Sequence, residues 1–424
     1  MKTLAGIIKK SLKYGVMVIA LAISASVLAQ ETDFISISGV VKDSKTKDRL
    51  FFANVSVHGT NIGTVANSDG EFTIKIPKDA NASELEISHL GYENKLFPVM
   101  SNENDKNRRE FLLNPSSVEI KSVVVRPADP RAILSQAMSK VSQNYSTEPN
   151  SLTGFYRETI KQRHDYVSIA EAVAEIYKSA YRYTIENDKV KILKARKSSH
   201  VKKSDTLMVK MQGGPNVSLY LDLVRYPDLI LNSEDMPYYD YKLLDIVNLN
   251  DEPTYVISFS PRATLEYPLY SGKIYVSVET LAITMAEFSM DLSDVNKATE
   301  VFVRKKPAGL RFEPISTSYL VNYKKDGDKY YLNYMRSEIK FRADWRRRIF
   351  KTYYTVMSEM AITERNTQNV NKISYKESFR PYTVLTDKIN EYFDEDYWGS
   401  YNIIQPDESI QAAIKRFNRR YKKD

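Results

Sequence analysis

Side chains suited to metal chemistry are sparse in this sequence: the only histidines are His58, His89, His164 and His200. A catalytic zinc needs about three protein ligands and an open position. His58 is followed by Gly59-Thr60-Asn61, His89 by Leu90-Gly91-Tyr92, His164 by Asp165-Tyr166-Val167 and His200 by Val201-Lys202-Lys203. None opens a His-x-x-Glu pair or a His-Glu-x-x-His helix. The chain has no cysteine, which removes disulfides, thiolate zinc sites and thiol nucleophiles. Asn67-Ser68-Asp69-Gly70-Glu71 looks like part of a calcium loop, but Val65 stands where the first acid belongs, and a hairpin turn accounts for it better. Asp394, Glu395 and Asp396, and the pair Asp291 and Asp294, lack the glycine turn and regular ligand spacing of a hard-cation site. There is no Gly-x-Ser-x-Gly elbow, phosphate-binding glycine loop or dinucleotide fingerprint. A Ser-His-Asp set gathered from distant segments stays open, and carboxylate pairs among 53 acids decide nothing. The expectation is no catalytic residue, no cofactor and no metal.

Two patches suit binding. Met236-Pro237-Tyr238-Tyr239-Asp240-Tyr241 reads as an aromatic loop whose Tyr238, Tyr239 and Tyr241 either stack on sugar rings or pack over a sheet. In FRADWRRRIFK, Arg346, Arg347 and Arg348 follow Trp345 in a hairpin-like connection. Arginine beside tryptophan is a frequent interface composition, and a solvated turn is the alternative.

The elements that must position these patches are strands. From Ile35 to about Val125, ISISGVV, FANVSVHG, EFTIKIP, ELEISHLGY and KLFPVM alternate with the period of two that marks half-buried strands. Glycines and the Asp69-Gly70 pair punctuate them, because glycine readily takes the positive φ of tight turns. Gly39, Val41 and Asp43, then Ala53, Asn54, Val55 and Val57, Gly59-Thr60, Gly63-Thr64, Asp69, Gly70, Phe72 and Gly91-Tyr92 together resemble the carboxypeptidase-like regulatory domain. That resemblance implies a transthyretin-like seven-stranded β-sandwich of the kind carried by many Bacteroidota envelope proteins. It is an accessory module and implies no peptidase chemistry. Lys47 replaces the family's usual turn glycine, Arg49 its proline and Asn67 its aspartate.

SVEIKSVVVRP reads as a joining strand, and Pro127 to Pro130 as a linker. Residues 130–424 then form a second β-rich domain. Asp129 caps a helix over 130–145, and a C-terminal helix is expected at about 407–421 after Pro406. Between them, VSIAEAVAEIYKSAYRY, TYVISFSP, KIYVSVE, LAITMAEFSMDL, YLNYMRSEIKF and KTYYTVMSEMAI read as strands of an antiparallel meander. The fold class expected is mainly β, with the sandwich followed by a large antiparallel curved sheet or half-barrel and flanking helices. A transmembrane barrel is disfavoured because Glu171, Glu175, Glu279, Glu287, Glu338 and Glu359 interrupt the strands.

The N-terminus carries Lys2, Lys9, Lys10 and Lys13, then an apolar run from Val16 to Leu28 ending in small residues. That order predicts a signal peptide over 1–29, cleaved to leave Gln30 first. Removing its four lysines from the formal +8 leaves about +4. Basic residues from Lys415 to Lys423 crowd the C-terminus, either as a solvated helix end or as a peripheral contact with anionic outer-membrane lipid. Export excludes nucleic acid as a partner. The expectation is a non-catalytic protein of the periplasm or outer membrane, docking an envelope protein. A carrier-like half-barrel for a lipid or glycan ligand is the first alternative, and a hydrolase the second.

Overall fold

A computed structural model describes residues 34–99, 109–116, 129–182, 186–199, 211–302, 309–346, 351–368, 370–389 and 397–412. The expected signal peptide, the joining strand at 117–127 and most of the C-terminal helix lie outside the described residues. The chain is mainly β, and the expected fold class is what the structure has: a small sandwich and a large antiparallel sheet that does not close.

The sandwich has seven strands, β1 (Phe34–Asp43), β2 (Asn54–Val57), β3 (Gly63–Val65), β4 (Glu71–Pro77), β5 (Glu84–Ser88), β6 (Lys95–Pro98) and β7 (Arg109–Leu113). One sheet runs β4-β1-β7 and the other β3-β2-β5-β6. β1 pairs antiparallel with β4 and parallel with β7. Alternate residues of the two sheets, among them Val41, Val55, Phe72, Ile74, Ile87 and Phe111, fill one core. Gly39 has no room for a side chain, since a Cβ there would lie 2.3 Å from the Phe111 ring. Gly70 holds φ +71°, the left-handed region that favours glycine, but the turn it makes is not the hairpin expected there: it passes the chain from β3 in one sheet to β4 in the other.

Two short helices follow, α1 (Pro130–Ser139) and α2 (Val141–Asn144). The Asp129 carboxylate accepts from the Arg131 amide and Pro130 opens α1, while Ile133, Leu134 and Ala137 are buried. The helical run expected over 130–145 is thus in two pieces, broken at Lys140, and Tyr145 is already extended.

The remaining strands are β8 (Asn150–Gln162), β9 (Asp165–Lys178), β10 (Lys189–Ser199), β11 (Tyr239–Leu249), β12 (Glu252–Pro261), β13 (Tyr270–Ser277), β14 (Ile283–Met290), β15 (Leu310–Asp326), β16 (Lys329–Trp345) and β17 (Thr352–Asn366). They form one ten-stranded sheet in the order β10-β9-β8-β17-β16-β15-β14-β13-β12-β11, antiparallel throughout. Pro314, which has no amide to donate, sits at a register shift of β15.

Both faces of this sheet are covered. On the inner face, Tyr156, Ile176, Ile257, Ile274, Met335 and Met360 pack against α1, α2 and the segment 219–236 in the largest core of the molecule. Helix α3 (Pro215–Leu219) contributes Leu219 to it. On the outer face, Phe155, Val173, Tyr334 and Ala361 meet Val65 and Phe52 of the sandwich and Trp398, Ile403 and Ile404 of the C-terminal segment. Farther along that face, Leu90 of the sandwich packs with Val256, Tyr275 and Met285.

Candidate interaction surfaces and buried charge networks

The centre of the outer face carries buried charge. Arg157, 1 % exposed, donates from Nε to Glu171 at 2.9 Å, from Nη1 to Glu359 at 3.0 Å and from Nη2 to the Ile404 carbonyl at 2.6 Å. Arg196 completes Glu171 at 2.7 Å, and the Tyr334 hydroxyl donates to Glu359 at 2.9 Å. Arg336 reaches both Glu359 and Glu338 and lies over the Phe52 ring of the sandwich. Burial pushes the Glu171 carboxyl up, but Arg157 and Arg196 beside it hold it below its ordinary value. Every formal charge here has an opposite partner, the condition under which buried ions are tolerated.

The C-terminal segment is the strap over this network. Asn402 exchanges two hydrogen bonds with the Lys75 backbone, Thr64 donates to the Ile403 carbonyl at 3.0 Å, and Ser68 donates to Asp407 at 2.7 Å. Residues 408–412 are helical, with the Glu408 amide donating to Asp69. Sandwich, strap and sheet are therefore stitched together along one seam.

A second network closes the end of the inner face. Lys178 pairs with Asp188 at 2.7 Å and Asp222 at 2.9 Å, and Asp222 accepts from the Tyr181 and Tyr323 hydroxyls. This ties the loop after α3 to the sheet. Glu158, also on the inner face and 3 % exposed, accepts from Tyr156 at 2.9 Å; burial raises its carboxyl to about 7.

The described histidines lie apart from one another, in the sandwich and in the β8–β9 turn. His89 lies between the Leu90 and Phe51 carbonyls, with burial holding its pKa down. His58 stands 3.6 Å from Glu86. His164 is in the β8–β9 turn, and His200 lies outside the described residues. Asn67 shapes the turn between β3 and β4 by accepting from the amides of Asp69 and Glu71. Asp291 and Asp294 accept from local amides, Asp294 at the start of α4 (Val295–Phe302). Among the described residues no group of three or more His, Asp or Glu is placed to hold a metal.

The sequence-derived binding patches divide. Met236–Tyr238 forms a short 3-10 turn, where Tyr238 is 37 % exposed. The loop expected there ends sooner than the sequence suggests, because Tyr239 and Tyr241 belong to β11. Tyr239 is buried edge-on against Phe259, and Tyr241 is half-buried beneath the Arg131 guanidinium. Trp345 ends β16, as a hairpin connection to β17 requires, and Arg346 is exposed in the turn. The Trp345 side chain, Arg347 and Arg348 lie outside the described residues.

A surface not anticipated from sequence lies in the segment 373–389, which covers the β10 edge through the Phe379 amide to the Val190 carbonyl. There Tyr375 and Tyr382 are 66 % and 59 % exposed. Arg380 lies 3.6 Å over the Tyr375 ring and donates from Nη1 to both tyrosine hydroxyls. Beside this platform is a depression of about 460 Å³ with Ile192, Phe379, Leu385 and Ile389 among its walls and Lys376 and Lys388 at its margin. The signal in sequence is only the string SYKESFRPY, in which two tyrosines flank an arginine.

A second cleft, about 250 Å³, opens between the β2–β3 hairpin of the sandwich and the β15–β16 hairpin of the sheet. Lys324 and Arg365 line it from the sheet side, and Ser56, His58 and Asn61 from the sandwich.

No curated protein matches the chain in sequence. Among solved structures, a DUF1329 family protein from Desulfovibrio piger is 12% identical, covering 55% of this chain and 91% of its own, with a TM-score of 0.22. Lipovitellin is 9% identical, covering 57% of this chain and 27% of its own, with a TM-score of 0.26. Within the chain, residues 37–125, which hold the seven-stranded sandwich, match the family of the CarboxypepD_reg-like domain.

Proposed function

We propose that this is an exported, non-catalytic envelope protein that docks a partner protein, with sandwich and sheet acting as one body. The observation that carries the reading is the Tyr375–Arg380–Tyr382 platform. Two tyrosines stay largely in water while an arginine between them is already oriented by both hydroxyls. Preorganised tyrosine and arginine contribute disproportionately to protein interfaces, because little side-chain entropy is left to lose on contact. The seam around Arg157 supports the same reading, since it fixes the sandwich relative to the platform-bearing sheet. Export is inferred from the basic, apolar and small-residue order of 1–29 together with a cysteine-free chain. Whether the site of action is the periplasm or the outer membrane follows from where the partner resides.

A carrier role is the second reading, favoured by one observation: the depression of about 460 Å³ whose walls include Ile192, Phe379, Leu385 and Ile389. It falls within the size range of ligand pockets. The inner face of the sheet is otherwise filled by the chain's own leucines and tyrosines.

Pull-down from an envelope extract with the full mature chain separates these readings. Docking predicts a partner retained by the wild type and lost on combining Tyr375→Ser, Arg380→Ser and Tyr382→Ser. The carrier reading predicts instead saturable uptake of a fluorescent fatty acid, abolished by Leu385→Lys. Turnover of ester or peptide substrates that survives repeated purification would overturn both.

A further inference from the structure

We propose that the partner meets the 373–389 surface with an acidic segment, seating a carboxylate on the open edge of Arg380 and a large apolar side chain in the depression beside it. This rests on the docking reading and names the chemistry of the partner at that same site.

Arg380 is held from one side only. Its Nη1 donates to Tyr382 Oη at 2.8 Å and to Tyr375 Oη, and the guanidinium lies 3.6 Å over the Tyr375 ring. Those bonds leave the Nε and Nη2 hydrogens without an acceptor among the described residues, and the side chain is only partly buried. Nε and Nη2 lie side by side on a guanidinium, so together they form a fork that takes both oxygens of a carboxylate. Each tyrosine oxygen accepts from Nη1 and so keeps its own O–H proton to donate to the same ligand. Stacking and the two hydroxyl contacts fix the plane of the fork before anything binds, which lowers the ordering cost of contact.

The charge around the depression has one sign left over. Its charged lining residues are Lys376, Glu377, Arg380 and Lys388. Glu377 is already engaged, since Lys191 donates to it at 2.9 Å and Ser374 at 2.8 Å. That pair is neutral, and Lys376, Arg380 and Lys388 have no carboxylate within ion-pairing distance among the described residues. Asp387 is exposed and does not line the depression. From beneath, Lys197 of β10 donates to the Thr386 carbonyl at 2.9 Å, a further cation bonded to a carbonyl rather than to an acid. Between these cations the lining is apolar at Ile192, Phe379, Leu385 and Ile389. An acidic segment with one large apolar residue matches both features, because its side chain leaves water while the carboxylate beside it reaches the cationic rim.

Saturation-transfer difference NMR with the full mature chain tests this. The probes are three unlabelled pentapeptides: Glu-Asp-Leu-Glu-Gly, its neutral counterpart Gln-Asn-Leu-Gln-Gly, and Glu-Asp-Gly-Glu-Gly, which lacks the apolar side chain. The expected result is saturable binding of the first, with transfer strongest at the leucine methyls and affinity at least tenfold lower for the other two. Arg380→Gln is expected to weaken the first peptide at least tenfold, and Lys376→Gln combined with Lys388→Gln severalfold, in variants whose circular-dichroism spectra match wild type. Equal binding of charged and neutral peptides, or unchanged affinity in the variants, overturns the acidic partner. The docking reading would survive that result, since it is tested separately by loss of the pulled-down partner in the triple serine variant. Displacement of the peptide by a lower concentration of decanoate assigns the site to the carrier reading and overturns the proposal. So does the absence of saturable binding in the wild type; its appearance on combining Asp394→Asn, Glu395→Gln and Asp396→Asn would then name the chain's own acidic run as the occupant.

Discussion

Arg157, in the middle of β8, donates from Nη2 to the carbonyl of Ile404, 247 residues later, at 2.6 Å. That bond joins the buried charge network of the sheet to the strap that holds the sandwich. Arg157→Ala would leave Glu171 and Glu359 buried without their shared cation. Removing one partner of a buried ion pair costs about 3–5 kcal/mol. Chemical denaturation should show a loss of this size, and hydrogen exchange should show early loss of protection at 402–404. A variant within 1 kcal/mol of wild type would mean that solvent reaches the network.

Glu158 predicts a pH dependence. Its folded-state pKa is raised by burial to about 7 from an unfolded value of 4.5, so the folded state binds the proton more tightly. Its contribution to stability is full below about pH 4.5 and is lost as pH rises to about 7. The difference amounts to about 3 kcal/mol. Glu158→Gln should remove this component, so that wild type minus variant falls with rising pH across that window. A difference independent of pH would show that Glu158 is ionised throughout.

Backbone conformation in the sandwich gives a paired prediction. Lys47 holds φ +65°, in the left-handed region that favours glycine. Lys47→Gly should stabilise the fold by about 0.5–1 kcal/mol by relieving left-handed strain. Gly70→Val should destabilise it by about 2 kcal/mol or more, since a Cβ at φ +71° would also come 3.1 Å from the Val41 carbonyl. Urea midpoints of the two variants should move in opposite directions. Parallel movement would contradict the assignment.

The sandwich was legible because its signals are local: alternation and glycine turns act over a few residues, although the Asp69-Gly70 turn joins two sheets rather than closing a hairpin. The interior strand β8 was hidden for a physical reason. Both its faces are buried, and Arg157, Glu158 and Thr159 stand in its middle, so no polar face alternates with an apolar one. β10 is rich in lysine and arginine and was not among the expected strands, yet Lys191 pairs with Glu377, Arg196 with Glu171, and Lys194 and Lys197 donate to the carbonyls of Tyr397 and Thr386. The strap and both clefts depend on partners some two or three hundred residues apart, beyond the reach of spacing rules. Tyr239 illustrates the converse: its aromatic neighbours suggest a loop, but burial against Phe259 makes it core.

The paired charges and local turns of the sandwich also predict that no ion is needed for folding. Thermal unfolding of the mature chain should be unchanged by a chelator at millimolar concentration. A substantial fall in the midpoint would reveal a structural cation.

The most direct measurement for the docking account is site-specific photo-crosslinking in living cells, with a benzophenone side chain introduced at Tyr382, at Tyr353 or at Phe51. These positions are 59%, 46% and 53% exposed and lie on different parts of the surface. The account predicts a discrete protein adduct from position 382 that disappears when Arg380→Ser is added, with none of comparable yield from 353 or 51. Equal adducts at all three positions, or none at 382 with a strong one elsewhere, would contradict it.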